Sequence, residues 1–502
     1  MLKTKLFILT IGLYCFNINN ANAQAIFNKL YDFGLIQHNG FSLIEHDGFY
    51  YVAGQGLPDI EPLEHTTFFM SVDAAGNLIN YALLDDGPDN TFLTFNNVAV
   101  ELVVLKDHIY SAADNIGTSY IQKTDLNVDS VELIHTFVDP ENEGFDPVSV
   151  ANTEFPPGYF STIGLTAYFI DQDSTEKKRR VIITRLDPNN EDTLEQFYYQ
   201  VSGEDLTPHE TVIDSKGNLV ILGGTGDKGL FAMKINQDME MIDFKKHEGE
   251  WSGTYLESVI TDQDEIYFTQ TETRREFIVT EGRPNILKMN SDLDLVWSKI
   301  LIQQEFKNGS LVVTGMAETH EKDGVIVSTS NFDLEEGLVA RLDDNGDVVW
   351  QKIIPPILNV DSDMELYTTI ATSDGYYMSV GNNFTETFHD TIGSWSQAWL
   401  VKYDGDGNIV QDGLSSVNAD FSDQISIYPN PSSNLLYIDH GDISDVRYNL
   451  FDGQGRLVYS SGKLAANSLN MLDVSIYDSG IYFLYIIQEG KSSFHVERIV
   501  VE

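Results

Sequence analysis

The chain has 502 residues, and its 77 acidic and 30 basic residues give a formal net charge of −47 at pH 7. A surface this acidic repels phosphate backbones and anionic lipids, which argues against binding to nucleic acid or to a membrane surface. Hydrophobic residues make up 42% of the chain, so it can build a large core and is not of the disordered class.

The N-terminal residues 1–23 have the pattern of a secretory signal peptide. A short basic region and an apolar run precede Ala21-Asn22-Ala23, which predicts cleavage before Gln24. A lipoprotein signal at Cys15 is the alternative, but the bulky Tyr14 is unsuited to the position before such a cysteine. Since Cys15 is the sole cysteine, the mature protein is expected to have no disulfide and no thiolate metal site. No other segment has the ~20 consecutive apolar residues that span a bilayer.

A triplet of a basic residue, an apolar residue and Asp or Asn recurs along the chain. Successive copies are 49 to 62 residues apart, and this near-even spacing indicates an internal repeat. The copies are Ser71-Val72-Asp73 (without the basic residue), Lys123-Thr124-Asp125, Arg185-Leu186-Asp187, Lys234-Ile235-Asn236, Lys288-Met289-Asn290, Arg341-Leu342-Asp343 and Lys402-Tyr403-Asp404. Each triplet ends an alternating run and enters a turn, where its Asp or Asn side chain can accept hydrogen bonds from the backbone.

Each repeat contains about four strands, and no amphipathic helix is evident between them. Repeats of ~50 residues with four strands are typical of β-propeller blades, so residues 24–413 predict an all-β, seven-bladed β-propeller. The last repeat ends early, at Ile409-Val410, and the run from Phe27 to Phe33 is expected to supply its missing strand and join the ends of the ring. A solenoid of stacked strands is the alternative, but it would not need a donated strand.

Enzyme signatures are lacking in the sequence. There is no Gly-x-Ser-x-Gly, no His-Glu-x-x-His, no phosphate-binding glycine loop, and the eleven histidines are scattered. Trp297 and Trp350 follow the turns of two repeats, and we interpret them as packing between blades. The sequence therefore favours a non-catalytic role and predicts no cofactor apart from a possible calcium ion.

The calcium candidate is Asp404, Asp406 and Asn408, because alternating oxygen ligands suit Ca²⁺. The pattern departs from a calcium loop at its sixth position, Ile409, and at its twelfth, Ser415. A plain hairpin turn is the competing interpretation. A second acidic run, Asp139, Glu141, Glu143 and Asp146, is a similar candidate, but solvated loop charge is the favoured interpretation.

A binding face is predicted where the loops between the second and third strands of each repeat emerge on one side of the ring. Several of these loops are long, covering about residues 54–67, 164–180, 270–285 and 382–397, and variable loops on a rigid scaffold commonly carry binding sites. They hold basic and aromatic residues suited to a glycan or a protein partner. The candidate binding residues are Lys177, Lys178, Arg179, Arg180, Arg274, Arg275, Arg283, Phe384, Phe388 and Trp395. Ordinary surface loops with compensating charge are the competing interpretation.

The C-terminal residues 425–502 form a separate module after a linker at 414–424. Short alternating strands predict a small β-sandwich, and prolines on both sides of Asn430 predict a turn between edge strands. The module resembles the C-terminal sorting domain of proteins exported by the type IX secretion system. The matching residues are Tyr428, Pro429, Asn430, Pro431, Gly455, Gly480, Ile481 and Tyr482.

The resemblance implies export across the outer membrane, recognition of the domain by the type IX machinery and removal of the domain. Surface attachment or release into the medium would follow. Many members of the family end in a lysine-rich strand, whereas this chain ends in Arg498-Ile499-Val500-Val501-Glu502. The resemblance therefore predicts an extracellular or outer-membrane-surface location without deciding the mode of attachment.

Three hypotheses for the function follow. The first is a secreted or cell-surface protein that binds a glycan or protein through one loop face of the propeller. The second is an extracellular polysaccharide hydrolase or lyase, with carboxylates converging near the mouth of the channel. The third is a non-catalytic surface scaffold.

Overall fold

The computed structural model describes residues 27–33, 35, 37–57, 66–84, 94–95, 98–99, 101–115, 118–137, 148–169, 177–226, 229–249, 257–276, 279–301, 311–331, 337–354, 362–385, 396–409, 426–439, 446–452, 457–461, 469–477, 479–488 and 494–501. The predicted signal peptide, the linker at 414–424 and the acidic run at 139–146 lie outside these residues. Every regular element of the described part is a β-strand. The described residues contain no helix long and apolar enough to cross a membrane.

Thirty strands lie between residues 28 and 403. They are β1 (Asn28–Tyr31), β2 (Gln37–His46), β3 (Phe49–Leu57), β4 (Thr66–Val72), β5 (Leu78–Leu83), β6 (Thr94–Phe95), β7 (Val98–Ala99), β8 (Val103–Leu105), β9 (His108–Asn115), β10 (Thr118–Asp125), β11 (Val131–Phe137), β12 (Val148–Glu154), β13 (Phe160–Phe169), β14 (Lys177–Asp187), β15 (Asn190–Tyr199), β16 (Leu206–Ile213), β17 (Leu219–Thr225), β18 (Leu230–Ile235), β19 (Met241–His247), β20 (Ser258–Ile260), β21 (Ile266–Glu276), β22 (Val279–Met289), β23 (Leu295–Ile300), β24 (Leu311–Glu318), β25 (Gly324–Asn331), β26 (Gly337–Asp343), β27 (Val348–Ile354), β28 (Ser362–Ala371), β29 (Tyr377–Thr385) and β30 (Ser396–Tyr403).

These strands form seven four-stranded antiparallel sheets, one for each triplet of the sequence, with β6 and β7 as a separate hairpin. In six sheets the four strands follow chain order, and each triplet lies at the end of the third strand. The first strands of neighbouring sheets contact one another from the second sheet to the last, and β28 of the last sheet contacts β2 of the first. Hydrophobic side chains fill the spaces between sheets. This is the all-β, propeller-like arrangement that the repeats predict.

The ring is closed by the N-terminal strand. β1 pairs antiparallel with β30, with Asn28 opposite Val401 and Tyr31 opposite Ala398, and so becomes the fourth strand of the last sheet. The prediction that the N-terminal run completes the last repeat is confirmed. The pairing covers the edge of β30, which would otherwise be left without a partner strand.

The Asp or Asn of each triplet organises the turn between the third and fourth strands. Asp404 is representative: its Oδ1 atom accepts hydrogen bonds from the backbone N–H groups of Asp406, at 3.0 Å, and Asn408, at 2.8 Å. Asp73, Asp125, Asn236, Asn290 and Asp343 bond in the same way to the second and fourth residues after them. The repeated residue therefore satisfies turn donors that would otherwise have no partner in the protein.

The basic residue of the triplet links neighbouring sheets. Lys402 is completely buried, and its Nζ atom lies 2.6 Å from Asp374 of its own sheet and 2.9 Å from the hydroxyl of Tyr50 in the first sheet. Lys288 likewise lies 2.6 Å from Asp344 of the following sheet. A buried ammonium group needs such a partner, since its desolvation is otherwise uncompensated.

Each of the two tryptophans named above packs on the turn of the next sheet. The Nε1 atom of Trp350 donates to the carbonyl oxygen of Gly405, at 3.0 Å, and its ring covers Gly407. Trp297 covers Gly346 in the same manner. Asn80 takes the place of tryptophan in the first sheet and donates to two carbonyl oxygens of the next turn, at 3.1 Å each. The tryptophans thus pack between sheets, as the sequence suggested.

We expect Gly407→Ala to destabilise the protein more than Gly375→Ala does. Both glycines have positive φ angles, 69° and 89°, so alanine is strained at each by about 1 kcal/mol. A Cβ atom at Gly407 would also lie 2.7 Å from the Trp350 ring, whereas Gly375 has no atom within 4 Å, and overpacking adds about 1–3 kcal/mol. Denaturant unfolding of the two variants measures the difference. Equal losses would show that Trp350 does not pack firmly on this turn.

The C-terminal residues 426–501 form two further sheets. The strands are β31 (Ser426–Tyr428), β32 (Leu435–Asp439), β33 (Val446–Asp452), β34 (Leu457–Ser460), β35 (Leu469–Asp473), β36 (Gly480–Gln488) and β37 (Phe494–Val501). Their orders are β31-β32-β35 and β34-β33-β36-β37. Buried residues of both sheets, including Ile438 and Leu484, share one core, which is the predicted small β-sandwich.

Candidate functional site

The first strand of most sheets contains a β-bulge, and the residue after the bulge occupies an equivalent position in each repeat. Register shifts are described in β2, β12, β16, β24 and β28. The strands β8 and β20 begin after the equivalent position. Their equivalent residues are found by extending the pairing of β8 with β9, and of β20 with β21, towards the N-terminus. The seven residues are Ser42, Glu101, Ala151, Glu210, Glu257, Gly315 and Thr368.

Three of these positions hold glutamates, and the four others hold small residues. Glu101, Glu210 and Glu257 come from the second, fourth and fifth sheets, while the third sheet, between the first two, has Ala151 at this position. The side chains of Glu101 and Glu210 lie close enough for each to shift the pKa of the other. Residues from separate sheets thus converge where the first strands of the ring come together.

Backbone groups hold the glutamate pair in place. An Oε2 atom of Glu101 accepts the N–H of Asn152, at 2.8 Å, and the Asn152 side chain donates to the Glu101 carbonyl oxygen, at 3.0 Å. Glu210 is buried and accepts the N–H of Thr211 at 3.2 Å. Glu101 and Glu257 are partly exposed as whole residues, but their carboxyl groups are buried like that of Glu210.

Burial raises the pKa values of all three glutamates. The charge of Glu101 further raises the pKa of Glu210 and of Glu257, both of which stand well above the usual range. Hydrogen bonds from Glu210 and from the Asn152 backbone act in the opposite direction on the pKa of Glu101. Burial and the nearby carboxyl of Glu101 therefore favour the protonated forms of Glu210 and Glu257 over their charged forms.

No lysine or arginine in the described part of the chain forms an ion pair with these glutamates. The neighbouring His209 is buried, which lowers its pKa to about 4, an effect that the charge of Arg179 strengthens. Histidine is therefore neutral here and gives no positive charge to the carboxyls. Buried ionisable groups without a counter-charge reduce stability, and proteins tend to keep such groups at functional sites. We take Glu101, Glu210 and Glu257, the channel glutamates, as the candidate site.

The predicted basic cluster at Lys177–Arg180 lies at the start of β14 rather than in a loop. Arg179 makes two hydrogen bonds to the carboxylate of Asp205, at 2.7 and 2.9 Å, and the Lys178 ammonium donates to the Gly203 carbonyl oxygen. Arg180 is buried with its guanidinium 4.1 Å from the centroid of the Tyr198 ring. The structure therefore gives three of these residues intramolecular partners.

Other predicted loop residues also belong to strands. Arg274 and Arg275 lie in β21, Arg283 lies in β22, and Phe384 lies in β29; Arg274 is paired with Glu281 and Arg275 with Thr280. The predicted loop at 270–285 is thus largely a strand hairpin. The sequence underestimated these strands because their ends are polar and lack the apolar alternation by which strands are recognised. Phe388 and Trp395 lie outside the described residues.

The calcium candidate is organised as a turn. Both carboxylate oxygens of Asp404 are bonded within the protein, Oδ1 to two backbone N–H groups and Oδ2 to the Asn408 amide, at 2.8 Å. These bonds recur in other repeats, as the competing interpretation holds. The described residues contain no group of three His, Cys, Asp or Glu side chains able to hold a metal ion.

The sorting residues cluster at two places in the C-terminal sandwich. Tyr428 ends β31 and stacks on Tyr437, with ring centroids 5.7 Å apart, and Pro429, Asn430 and Pro431 follow it on the surface. Gly480, Ile481 and Tyr482 begin β36. Gly455 lies outside the described residues.

The sequence did not single out the channel glutamates. Carboxylates are abundant in this chain, and each of the three stands in a different local context: Val-Glu-Leu, His-Glu-Thr and Leu-Glu-Ser. An alignment of the seven repeats by strand register, rather than by the triplet alone, would have placed them at one position.

Comparisons with known proteins agree with this division of the chain. Residues 426–502 match the family model described as the secretion system C-terminal sorting domain. No curated protein matches the chain.

Several solved structures are similar to the chain at low identity. PorZ of Porphyromonas gingivalis, a surface component of the type IX secretion system, is 12% identical over 95% of this chain and 70% of its own, with a TM-score of 0.36. Hydrazine synthase of Kuenenia stuttgartiensis is 12% identical over 69% of this chain and 92% of its own, with a TM-score of 0.44. The polysaccharide lyase Uly1 is 8% identical over 72% of this chain and 89% of its own, with a TM-score of 0.40.

The family match, the β-sandwich and the sequence motifs together identify how the protein is exported. Residues 426–502 are a type IX secretion C-terminal sorting domain, and the chain is exported to the cell surface or the extracellular space.

Proposed function

We propose that the exported propeller binds a glycan at the channel glutamates. The observation that carries this proposal is the close pair of Glu101 and Glu210, which stand at equivalent positions of two sheets without a cationic partner in the described part of the chain. A carboxyl that keeps its proton can donate a hydrogen bond, and a carboxylate can accept one. Together they suit the hydroxyl groups of a sugar.

The charge of the chain narrows the class of glycan. A net charge of −47 repels polyanions such as uronate-rich polysaccharides, so a neutral or amino-sugar glycan fits better. The same argument disfavours a lyase that acts on acidic polysaccharide. The predicted loop face remains a prediction for the outer part of the site. Its candidate residues include Arg274, Arg275, Arg283 and Trp395.

Binding to an array of neutral, amino-sugar and acidic glycans tests this proposal on the full chain. We expect neutral or amino-sugar glycans to bind and Glu101→Gln or Glu210→Gln to weaken binding about 10- to 100-fold, since hydrogen bonds to charged groups contribute about 1.5–3 kcal/mol. Glu318→Gln, on the first strand of the sixth sheet but three residues beyond the equivalent position, is the matched control and should bind normally.

The same experiment distinguishes binding at the channel glutamates from binding at the predicted loop face. If binding survives both channel substitutions and is lost in Arg274→Ala, Arg275→Ala or Trp395→Ala, the ligand site is the loop face and the channel assignment is wrong. If no glycan and no protein is bound, the propeller acts as a scaffold.

Hydrolysis is the second candidate function, and the closeness of the Glu101 and Glu210 carboxyls is the observation that favours it. Two carboxyls that share one proton can act as acid and base towards a water molecule. A directly hydrogen-bonded pair is closer than the roughly 5–5.5 Å of retaining glycosidases or the roughly 6.5–9.5 Å of inverting ones, which is why we place binding first. Release of reducing ends from bound glycan, abolished by Glu210→Gln, would establish hydrolysis.

A further inference from the structure

The sorting motif contacts the last strand of the chain. After β31 the backbone leaves the three-stranded sheet and passes beside β37, the edge strand of the four-stranded sheet. The N–H of Ser432 donates to the carbonyl oxygen of Val500, at 2.9 Å, and Ser432 forms a parallel bridge with Val501. Two segments that are about 70 residues apart in sequence are therefore neighbours in the sandwich.

Asn430 makes the two side-chain bonds of this contact. Its Oδ1 atom accepts the N–H of Val500, at 2.9 Å, and its Nδ2 atom donates to the carbonyl oxygen of Arg498, at 2.6 Å. One amide thus binds two alternate backbone groups on the free edge of β37, as a neighbouring strand would. The strand geometry explains why an asparagine suits this position, since aspartate would lack the donor and alanine would lack both groups.

The contact is exposed. Tyr428, Pro429, Asn430, Pro431 and Arg498 are all on the surface, so the bonds of Asn430 compete with water. Such neutral hydrogen bonds contribute only about 0.5–1.5 kcal/mol each to stability, and the shared core of the two sheets supplies the larger part. The position of Asn430 is therefore better explained by what it does to β37 than by the stability of the domain.

We propose that Asn430 is a positioning residue for export: it fixes the C-terminal strand in the conformation that the type IX machinery recognises. In this proposal the recognised element is the last strand, and Asn430 acts on export through its bonds to Val500 and Arg498. This inference rests on the sorting-domain assignment and is independent of ligand binding by the propeller.

Export and local hydrogen exchange, measured on the full chain in a host with a type IX system, test the proposal together. We expect Asn430→Ala to speed amide exchange in residues 494–501 and to lower the extracellular fraction at least 5-fold, with the protein retained in the periplasm. Asn430→Asp keeps the acceptor for Val500 and loses the donor to Arg498, so both effects should be smaller.

Ile438→Val is the matched control, because Ile438 is completely buried in the same sandwich and does not touch the contact. It costs about 0.5–1.5 kcal/mol of stability and should be exported normally. Faster exchange with undiminished export in Asn430→Ala would overturn the proposal. Loss of export with unchanged exchange would overturn it as well, since Asn430 would then be recognised directly. If Ile438→Val were also retained in the periplasm, loss of stability alone would explain the export defect. Asn430 would then have only a general stabilising role.

Discussion

A chain that begins at Phe33 instead of the predicted mature N-terminus, Gln24, is expected to lose cooperative unfolding and to aggregate. The deletion removes β1, in which Leu30 and Tyr31 are buried and Asn28 accepts the indole N–H of Trp399, at 2.5 Å. Burial of Phe27, Leu30 and Tyr31 contributes roughly 5–9 kcal/mol, which is comparable to the whole stability of a typical domain. The loss also exposes the edge of β30, and an unpaired strand edge promotes association.

A pair of matched substitutions tests the same strand less severely. Leu30 and Leu133 both lie in the fourth strand of a sheet, but Leu30 is 1% exposed and Leu133 is 40% exposed. We expect Leu30→Ala to cost about 2–5 kcal/mol in denaturant unfolding and Leu133→Ala to cost less than about 1 kcal/mol. A truncated chain that stays monomeric and unfolds like the intact one would contradict closure of the ring by β1.

The contribution of His38 to the stability of the protein is expected to be lost as the pH falls from about 6.5 to about 4. His38 is completely buried where the ring closes, and its Nε2 atom accepts the N–H groups of Phe33, at 3.0 Å, and Leu35, at 3.2 Å. Its Nδ1 atom must then carry the proton and donate to the Ser396 carbonyl oxygen, at 3.2 Å. The imidazole thus joins the turn after β1 to β30 in its neutral form.

The direction of the pH effect follows from the pKa of His38. Burial lowers this pKa to about 4, against an ordinary value of 6.5, although the hydrogen bond to Ser396 acts in the opposite direction. Between these two values the unfolded chain binds the proton and the folded chain does not, so stability is complete above pH 6.5 and is lost as the pH falls. The loss attributable to His38 is about 3 kcal/mol at pH 4, because each pKa unit corresponds to about 1.4 kcal/mol. Asp32, 3.7 Å from Nε2, limits the loss if it remains ionised.

Denaturant unfolding at pH 7.5, 6, 5 and 4 measures this dependence. The comparison of the wild type with His38→Gln isolates the histidine from other titrating groups: the variant is less stable at pH 7.5, and the difference narrows as the pH falls. His46→Gln, which replaces a partly exposed histidine at the end of β2, should leave the slope unchanged. A constant difference between His38→Gln and the wild type at every pH would refute a neutral, buried His38.

Repeats and turns were predictable because they are local. The triplet Arg341-Leu342-Asp343 contains the end of a strand, a core residue and a turn acceptor within three positions, and the structure uses all three in that way. The closing strand was predictable for a related reason. The last repeat lacked a strand, and the segment Phe27–Phe33 belonged to no other repeat. The sorting domain was recognisable because its motifs are short and contiguous.

Contacts between sheets were not predictable from the same patterns. The sequence shows that Lys402 occupies the recurring basic position of the triplet. It does not show that the ammonium group of Lys402 reaches Tyr50 of the first sheet. It shows basic residues at 177–180, but not that Arg179 is neutralised by Asp205. These partners depend on how neighbouring sheets are rotated about the ring, which no single repeat specifies.

The sequence by itself therefore determined the all-β class, the four-stranded repeats, the closure by the N-terminal strand and the route of export. Tertiary structure alone decided the candidate site, since Glu101 and Glu210 are more than 100 residues apart and belong to sheets separated by a third. Strand register places both at the same position of their repeats, with Ala151 at this position in the sheet between them. Strand pairing is set by neighbouring residues, whereas the convergence of side chains from separate sheets appears only when the ring has closed.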